Sequence, residues 1–225
     1  MKSIFLIRGE RNESYEAFHR RILELGHTVV SLHKPAALKV TLTAYAPPAV
    51  SIIPFKKNKI AALSATGAEG DLLATLDKTT GLSGGYRVEE AVPVAYERSW
   101  GNGQQSPGVC LLTLFRQKKG IDYNTFIDRW HNSHTPLSLK LHPLWNYSRN
   151  VVKEQIVNNS QGWDGIVEEH FRTASDLLNP FTFFGNPLKI GYNMMQVYLD
   201  TKSFLDYKTI EPYLAVEYHL AGKGK

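Results

Sequence analysis

The sequence has a single cysteine and no long apolar run, and these absences exclude several classes of protein. Cys110 alone cannot form an internal disulfide, which favours a reducing compartment and predicts a cytoplasmic location. No apolar run approaches the roughly 18 residues that cross a bilayer. The apolar run at 4–7 is also too short for a signal peptide. We therefore expect no membrane partner.

The sequence also lacks the short motifs that bind nucleotides, metals or nucleic acids. Neither G-x-G-x-x-G nor G-x-x-x-x-G-K-[ST] occurs, so a bound nicotinamide or ATP is not expected. No H-E-x-x-H frame accompanies the 8 histidines, so no metal site is predicted. The net charge is +5, but the basic residues fall in short clusters at 56–59, 118–119 and 223–225 without a nucleic-acid-binding motif. We expect no cofactor and no nucleic-acid partner.

The chain repeats itself at an offset of 108 residues. The stretch 4–28 aligns with 112–136, and each copy is an apolar strand that ends in arginine, then a polar turn, then an amphipathic helix. Residues suited to capping the helices occur at equivalent positions. The matched pairs are Arg8 and Arg116, Ser14 and Asp122, Tyr15 and Tyr123, Phe18 and Phe126, and Ile22 and Trp130.

A second correspondence lies downstream, where 59–76 and 165–181 share an Asp-Leu-Leu and predict a strand followed by a helix. Each half then closes on a predicted strand, at 86–100 in the first and 192–200 in the second. Between the first helix and the middle strand, a further strand is predicted in each half, at 51–55 in the first and 145–157 in the second. Residues 30–58 otherwise give no clear pattern.

Each half therefore has the order β-α-β-β-α-β of a ferredoxin-like unit. The fold class predicted is α+β, with two tandem ferredoxin-like repeats that form a pseudo-dimeric α/β barrel, because each sheet needs cover on its second face. We expect a degenerate repeat at 1–100, a glycine-rich linker at 101–108 and a second repeat at 109–225 that carries the site.

The second half carries a motif that resembles a known family. A strand ending in arginine is followed by a glycine turn, Phe, Trp, His and Pro-Leu, and later by Asp-Gly-Ile. These residues are Arg116, Gly120, Phe126, Trp130, His134, Pro136, Leu137, Asp164, Gly165 and Ile166. The pattern resembles the EthD family of the dimeric α/β-barrel superfamily, whereas the first half follows only the weaker superfamily pattern.

The resemblance implies a pocket for a small, often aromatic molecule, with the histidine at position 134 in the cleft. Related barrels include polyketide cyclases, lactone isomerases, decarboxylases of aromatic acids and cofactor-free monooxygenases, which generally work without a metal. The reaction is not fixed by the resemblance, because one fold hosts many activities.

Two histidines, His131 and His134, stand three residues apart in DRWHNSHTPLSL. On a helix that begins near Tyr123, Trp130 lies on the apolar face, and His134 shares that face because it follows four residues later. His131 is rotated to the edge of the face. Two histidines alone do not make a zinc site, which needs a third and usually a fourth ligand.

Pro136 disfavours helical geometry at Thr135, so we expect the helix to end at about His134. The helix dipole and partial burial would act in opposite directions on such a histidine, which suits general acid–base catalysis. The alternative is that His134 only bonds a terminal carbonyl. At the offset of 108 its counterpart is Gly26, and the nearest histidine of the first half is His27. The first half is therefore expected to lack an equivalent site.

Other side chains are predicted to contact the ligand. In the strand at 145–157, Tyr147 would orient a hydroxyl or carbonyl and Arg149 would hold a carboxylate, with Asn150 on the opposite face. His170, near the end of the next strand, is a further candidate, and the aromatic run at 181–187 suits a wall or lid. Ordinary core or sheet-surface roles remain open for these residues. The full set is Trp130, His131, Tyr147, Arg149, Asn150, His170 and Phe184, with His134 as the catalytic residue.

These features predict a cofactor-independent enzyme in which His134 transfers a proton on a small cyclic or aromatic compound, as an isomerase, cyclase, decarboxylase or lyase. Two alternatives stay open. One is a cofactor-free monooxygenase of the EthD type, in which a substrate carbanion reduces oxygen. The other is a non-catalytic binding or stress-response protein that uses the same pocket. Exposed barrel edges would also allow a homodimer.

Overall fold

The computed structural model describes residues 1–67, 69–185 and 187–222. Ala68, Asn186 of the aromatic run, and residues 223–225 with their predicted basic cluster lie outside the described residues. In the described part of the chain, no helix is both long enough and apolar enough to span a bilayer.

The described residues of the first half form four strands and two helices. In chain order they are β1 (Lys2–Arg8), α1 (Tyr15–His33), β2 (Ala37–Leu42), β3 (Ile60–Thr66), α2 (Glu69–Leu76) and β4 (Leu82–Val94). The Ser14 side chain accepts a hydrogen bond from the Ala17 N–H at the start of α1, which confirms the predicted N-cap. Lys34 ends α1 in a left-handed conformation, with φ of 45°.

In the second half, the part of the chain that the structure describes forms four strands, a set of short helices and one long helix. The elements are β5 (Val109–Phe115), α3 (Tyr123–Asp128), a π-helical turn (Arg129–His134), α4 (Thr135–Leu141), β6 (Asn146–Gln155), β7 (Gly165–Phe171), α5 (Ala174–Leu178), α6 (Pro180–Phe183), α7 (Ile190–Phe204) and β8 (Glu211–Ala221). Asp122 caps α3 by accepting from the Thr125 N–H, as predicted.

The eight strands form a closed antiparallel barrel, so the α+β class is confirmed. Around the barrel the order is β1-β3-β2-β8-β5-β7-β6-β4. Strands of the first half pair with strands of the second half at two seams, β2 with β8 and β4 with β6. No strand edge is left open among the described strands, because each has two neighbours.

Two of the predicted strands are wrong. Residues 192–200 belong to helix α7, and the closing strand is β8, whose sequence EPYLAVEYHLA is buried along most of its length. Residues 51–55 are a loop, because Pro54 has no N–H to donate to a ladder. The strand in that part of the first half is β2, which lies in the segment that gave no clear pattern.

The apolar core is divided by the barrel wall. Outside the first-half strands, α1 and α2 pack over one cluster through side chains that include Phe18, Ile22 and Leu72. A second cluster joins strands from opposite sides of the barrel and therefore fills its interior, with Leu6, Leu112 and other apolar side chains. The second-half helices cover two further clusters on the outer face.

One end of the barrel interior is charged rather than apolar. The Lys39 ammonium lies 2.9 Å from a Glu168 carboxylate oxygen and 3.3 Å from a Glu217 oxygen. Thr41 donates to Glu168 at 2.5 Å, and the Tyr96 hydroxyl donates to Glu217 at 2.5 Å. Burial alone would lower the pKa of Lys39, but the attraction of Glu168 and Glu217 outweighs burial and raises it. Lys39 is therefore held as a cation.

Replacing Lys39 tests how much the fold depends on this cluster. Lys39→Met should destabilise the protein by about 3–5 kcal/mol, because it leaves buried carboxylates without their main cation. Urea unfolding at pH 7 measures the change. Lys153→Met is the matched control, since Lys153 pairs with Glu89 where both side chains are exposed and should change the free energy of unfolding by about 1 kcal/mol or less. Equal losses in the two variants would contradict the ion cluster's role.

Candidate active site on the outer face of the second half

A cavity of about 500 Å³ lies between the outer face of the second-half strands and the helices that cover them. Its wall is mostly apolar and aromatic, with a few polar groups, which is the usual composition of a small-molecule site. The aromatic and ionisable side chains that line it include Trp130, His134, Tyr147, Glu169, Phe183 and Phe184.

Strand alternation determines which residues reach this cavity. On β5, the odd-numbered side chains Leu111, Thr113 and Phe115 line the cavity. On β7, Val167 and Glu169 do the same, whereas the alternate residues point into the barrel. The sheet thus supplies an apolar floor with one carboxyl group.

The helix that carries His134 does not end there, and the predicted stop is wrong. It passes through the π-helical turn and continues as α4, with Thr135 in helical geometry. A proline in a regular helix would clash with the carbonyl four residues earlier. Here the turn is widened, and the Thr135 N–H bonds to the Trp130 carbonyl, five residues back. His134 therefore does not lie at the C-terminal end of a helix, and the predicted effect of the helix dipole on it is wrong.

His134 is paired with Asp200, a residue that the sequence analysis missed. The imidazole Nδ1 lies 2.8 Å from Asp200 Oδ2, and both side chains are largely buried. Asp200 lies on α7, which was predicted as a strand, so no helix face was available to suggest the contact. The signal for a helix was present, because 192–204 has no proline or glycine and contains helix-favouring Met, Gln and Leu.

Asp200 is ionised, and this sets the imidazole tautomer. Burial alone would raise the pKa of Asp200, but hydrogen bonds from His134 and from Ser133, at 2.6 Å, outweigh burial and lower it. A carboxylate has no proton to donate, so Nδ1 of His134 carries the shared proton. In the neutral imidazole, Nε2 is then the acceptor.

Ser138 lies beside the free nitrogen. Its Oγ is 3.2 Å from His134 Nε2, and it lines the cavity although it is fully buried. The order Ser138, His134, Asp200 matches a Ser-His-Asp triad. Ser138 lies within helix α4, however, where its flanking residues are also helical. The hydroxyl is placed to hold the imidazole rather than to attack a substrate.

Glu169 is the second polar group that the sequence analysis missed. It is 8% exposed and lines the cavity. No hydrogen bond joins its carboxyl to another described residue. Burial raises the pKa of Glu169 to about 7, against a smaller opposing effect of His134. Glu169 could have been found from the alternation of side chains along GIVEEHF, because a strand that directs His170 inward must direct Glu169 outward.

Three of the residues predicted to contact the ligand share the cavity with His134. They are Trp130, Tyr147 and Phe184. Trp130 is seated against β7 at Gly165, where an added Cβ would lie 2.3 Å from Phe115 and 2.9 Å from the indole. Phe184 follows α6 and stands with Phe183 at the wall of the cavity, whereas Phe181 of the same run is exposed.

His131 and Arg149 do not line the cavity. The His131 ring lies edge-on to the Trp130 ring, and Arg149 donates to the Thr135 hydroxyl at 2.6 Å. Burial lowers the pKa of His131, and the Arg149 charge adds to this effect. Both side chains therefore support the π-helical turn from outside the cavity.

Asn150 and His170 point into the barrel and not into the cavity. Asn150 donates to the Ile166 carbonyl at 3.0 Å, and His170 Nε2 lies 3.0 Å from the Pro107 carbonyl. Placing His170 in the cleft was wrong, because alternation along β7 sends it to the inner face with Glu168. In the described part of the chain, no group of three or more His, Cys, Asp or Glu side chains is arranged to hold a metal.

The first half has no room for a similar cavity at the position that corresponds to His134. Gly26 is buried, and an added Cβ would lie 2.2 Å from Leu220 Cδ1. Helix α1 therefore packs directly on β8. The neighbouring His27 is exposed.

Part of the cover of the cavity comes from the two segments that were wrongly predicted as strands. Helix α7 contributes Met194, Val197 and Tyr198, and the 51–55 loop of the first half contributes Ile52 and Ile53. The site in the second half is thus completed by a loop from the first half.

The chain is similar in fold to an anthrone oxidase-like protein, with a TM-score of 0.59 at 9% identity over 97% of this chain and 90% of that one. It is also similar to two proteins named as monooxygenases. The one from Fusobacterium nucleatum gives a TM-score of 0.52 at 9% identity over 99% of this chain and 94% of that chain. The one from Lactobacillus acidophilus NCFM gives 0.50 at 10% identity over 99% and 97%.

At these identities the likeness shows a shared α/β-barrel fold and does not carry a reaction. No protein-family model matches the sequence, and no curated protein matches it.

The buried carboxyl of Glu169 predicts a pH-dependent effect of mutation. Its pKa of about 7 lies above the ordinary 4.5, so the folded state binds more protons and stability falls as pH rises from about 4.5 to 7. Glu169→Gln removes this loss and should stabilise the protein by an amount on the order of 3 kcal/mol at pH 8, with little effect at pH 4.5. Urea unfolding at the two pH values measures it.

Glu154→Gln serves as the control, because Glu154 is exposed on β6. A stability change for Glu169→Gln that is the same at both pH values would show that its carboxyl is not perturbed by burial.

Proposed function

We propose that this protein is an enzyme in which His134, oriented by Asp200, transfers a proton to or from a small cyclic or aromatic molecule in the cavity. The observation that supports this most strongly is the pair itself, with Nδ1 of His134 held by a buried carboxylate at 2.8 Å. A carboxylate partner of this kind fixes the ring and its tautomer and leaves Nε2 as the acceptor. In the proposed reaction the substrate takes the place of the Ser138 hydroxyl, which lies 3.2 Å from Nε2.

The shape and polarity of the cavity support the substrate class. Aromatic side chains form much of the wall, and flat apolar surfaces favour a planar ring. Apolar walls also exclude water, which strengthens the electrostatic interactions of the few polar groups present. No cofactor is needed for proton transfer between carbon and oxygen, so isomerisation, cyclisation, decarboxylation and elimination all fit this site.

We further infer that the chain is a tandem of two ferredoxin-like repeats, with the EthD-type site in the second. The pairing order is β4-β1-β3-β2 in the first half and β8-β5-β7-β6 in the second, so the two halves repeat one topology. In this interpretation residues 1–100 are scaffold, 101–108 a linker and 109–225 the half that carries the site. We also propose a cytoplasmic location, because the single cysteine is free and buried.

A cofactor-free monooxygenase is the second candidate, favoured by the names of the proteins with the same fold. The same base would remove a proton from carbon, and the resulting carbanion would reduce oxygen. A binding or stress-response protein is the third, and it would use the cavity without requiring the His134–Asp200 pair.

Proton exchange on a model ketone tests the proposal without knowledge of the natural substrate. The wild-type protein should speed the exchange of the protons next to the carbonyl of α-tetralone in D2O, as followed by proton NMR. His134→Gln should lower the rate about 100-fold or more. Asp200→Asn should also lower it at least tenfold, because an amide can donate to Nδ1 and reverse the tautomer.

Two further variants complete the test. His27→Gln, at the exposed histidine of the first half, should have the wild-type rate. Ser138→Ala should lower the rate by about tenfold at most, because in this mechanism the hydroxyl only positions the imidazole. Wild-type exchange by a folded His134→Gln protein, or no exchange by the wild-type protein, would contradict the proposal.

A further inference from the structure

Glu169 is a buried carboxyl group without a hydrogen-bond partner among the described residues, and it faces the cavity. The residue is only 8% exposed, and polar groups with so little access to water are nearly always paired with another group. A ligand in the cavity would supply the missing partner.

The neighbouring glutamate shows that the chain can satisfy such a group. Glu168 is 1% exposed and is bonded by Thr41 and Lys39 inside the barrel. Glu169, one residue later and on the opposite face, has no such partners. The contrast between the two residues places an unpaired acid on the cavity side.

The surroundings of Glu169 favour its protonated form and offer it no buried cation among the described residues that line the cavity. It lies opposite Leu111 on β5 and Tyr147 on β6, and all three line the cavity. The one lysine or arginine that lines the cavity in the described part of the chain is Lys56, which is exposed and lies in the loop after 51–55. A protonated carboxyl group in apolar surroundings is a hydrogen-bond donor.

Resting on the proposed function, we propose that Glu169 is a second proton-transfer residue, which acts as an acid on the carbonyl oxygen of a planar cyclic ketone while His134 accepts the proton of the adjacent carbon. The substrate class follows from the two groups together. A neutral donor matches a neutral carbonyl oxygen, and the base His134, which lines the same cavity, matches the carbon beside it.

The step is a tautomerisation and needs no oxidant or reductant. The C–H bond breaks and its proton passes to Nε2 of His134. The electron pair of that bond becomes the C=C bond, and the π electrons of the carbonyl move to oxygen. The oxygen takes the proton of Glu169, so that the products are the enol, an imidazolium and a carboxylate. When the imidazolium exchanges its proton with D2O before the reverse step, a deuteron returns to the carbon, while the enol proton returns to the Glu169 carboxylate.

If Glu169 acts as an acid, the exchange rate depends on pH in a way that a purely structural role of Glu169 would not produce. The acid must be protonated to act, and its pKa is about 7, so wild-type exchange of α-tetralone should fall as pH rises above 7. In Glu169→Gln the rate should be about 10- to 100-fold lower at pH 6, and the fall above pH 7 should be absent. Glu169→Asp should keep the fall in rate, and Glu154→Gln should behave as wild type.

Binding of 1-naphthol, a planar enol analogue, is measured in parallel by its fluorescence. Wild-type binding that is retained by Glu169→Gln, together with the altered profile, supports the proposal. If Glu169→Gln keeps the wild-type rate and pH profile while His134→Gln loses exchange, the role of Glu169 is overturned and the proposed function stands. If wild type binds 1-naphthol but exchanges nothing, both proton-transfer roles are overturned and the cavity is a binding site.

Discussion

Closure of the eight strands into one barrel is the constraint on which the other features depend. The two seams, β2 with β8 and β4 with β6, give every strand two paired neighbours and therefore one face inside the barrel and one outside it. Alternation along β7 then sends two adjacent glutamates to different environments. Glu168 joins the ion cluster inside the barrel, and Glu169 joins the cavity outside it. A shift of one residue in this strand would exchange them and remove both features.

The two halves share a topology but differ in how their helices meet the sheet. In the first half α1 packs on β8 at Gly26, and the space beneath it is filled. In the second half the helix widens into the π-helical turn, and α7 and the 51–55 loop cover a cavity instead. The turn also aims His134 at Asp200 of α7. The cavity is present in one half and absent at the equivalent place in the other because the helices pack differently, and the repeat in the sequence does not reveal this difference.

The sequence predicts six of the eight strands, β1 and β3 to β7, and the first helix of each half, because their apolar periodicity and N-caps are local signals. It also predicts that His134, Trp130 and Tyr147 lie on faces that meet. It fails where long-range packing decides, at α7 and at the 51–55 loop, and therefore misses Asp200. It misses Glu169 for a different reason. His170 was predicted to face the cleft, and alternation along β7 then places Glu169 on the opposite face. The π-helical turn was hidden because Pro136 usually ends a helix, whereas here the helix bypasses it with a longer hydrogen bond.

A crystal structure of the protein with 1-naphthol bound would show whether the cavity holds a planar ring beside His134 and Glu169. We expect the rings to lie in the cavity between the β5–β7 floor and α7, with the hydroxyl within hydrogen-bond distance of Nε2 of His134 or the carboxyl of Glu169. We also expect Asp200 still to hold Nδ1. Naphthol bound inside the barrel near His170, or a cavity in which Asp200 and His134 are apart, would contradict these expectations.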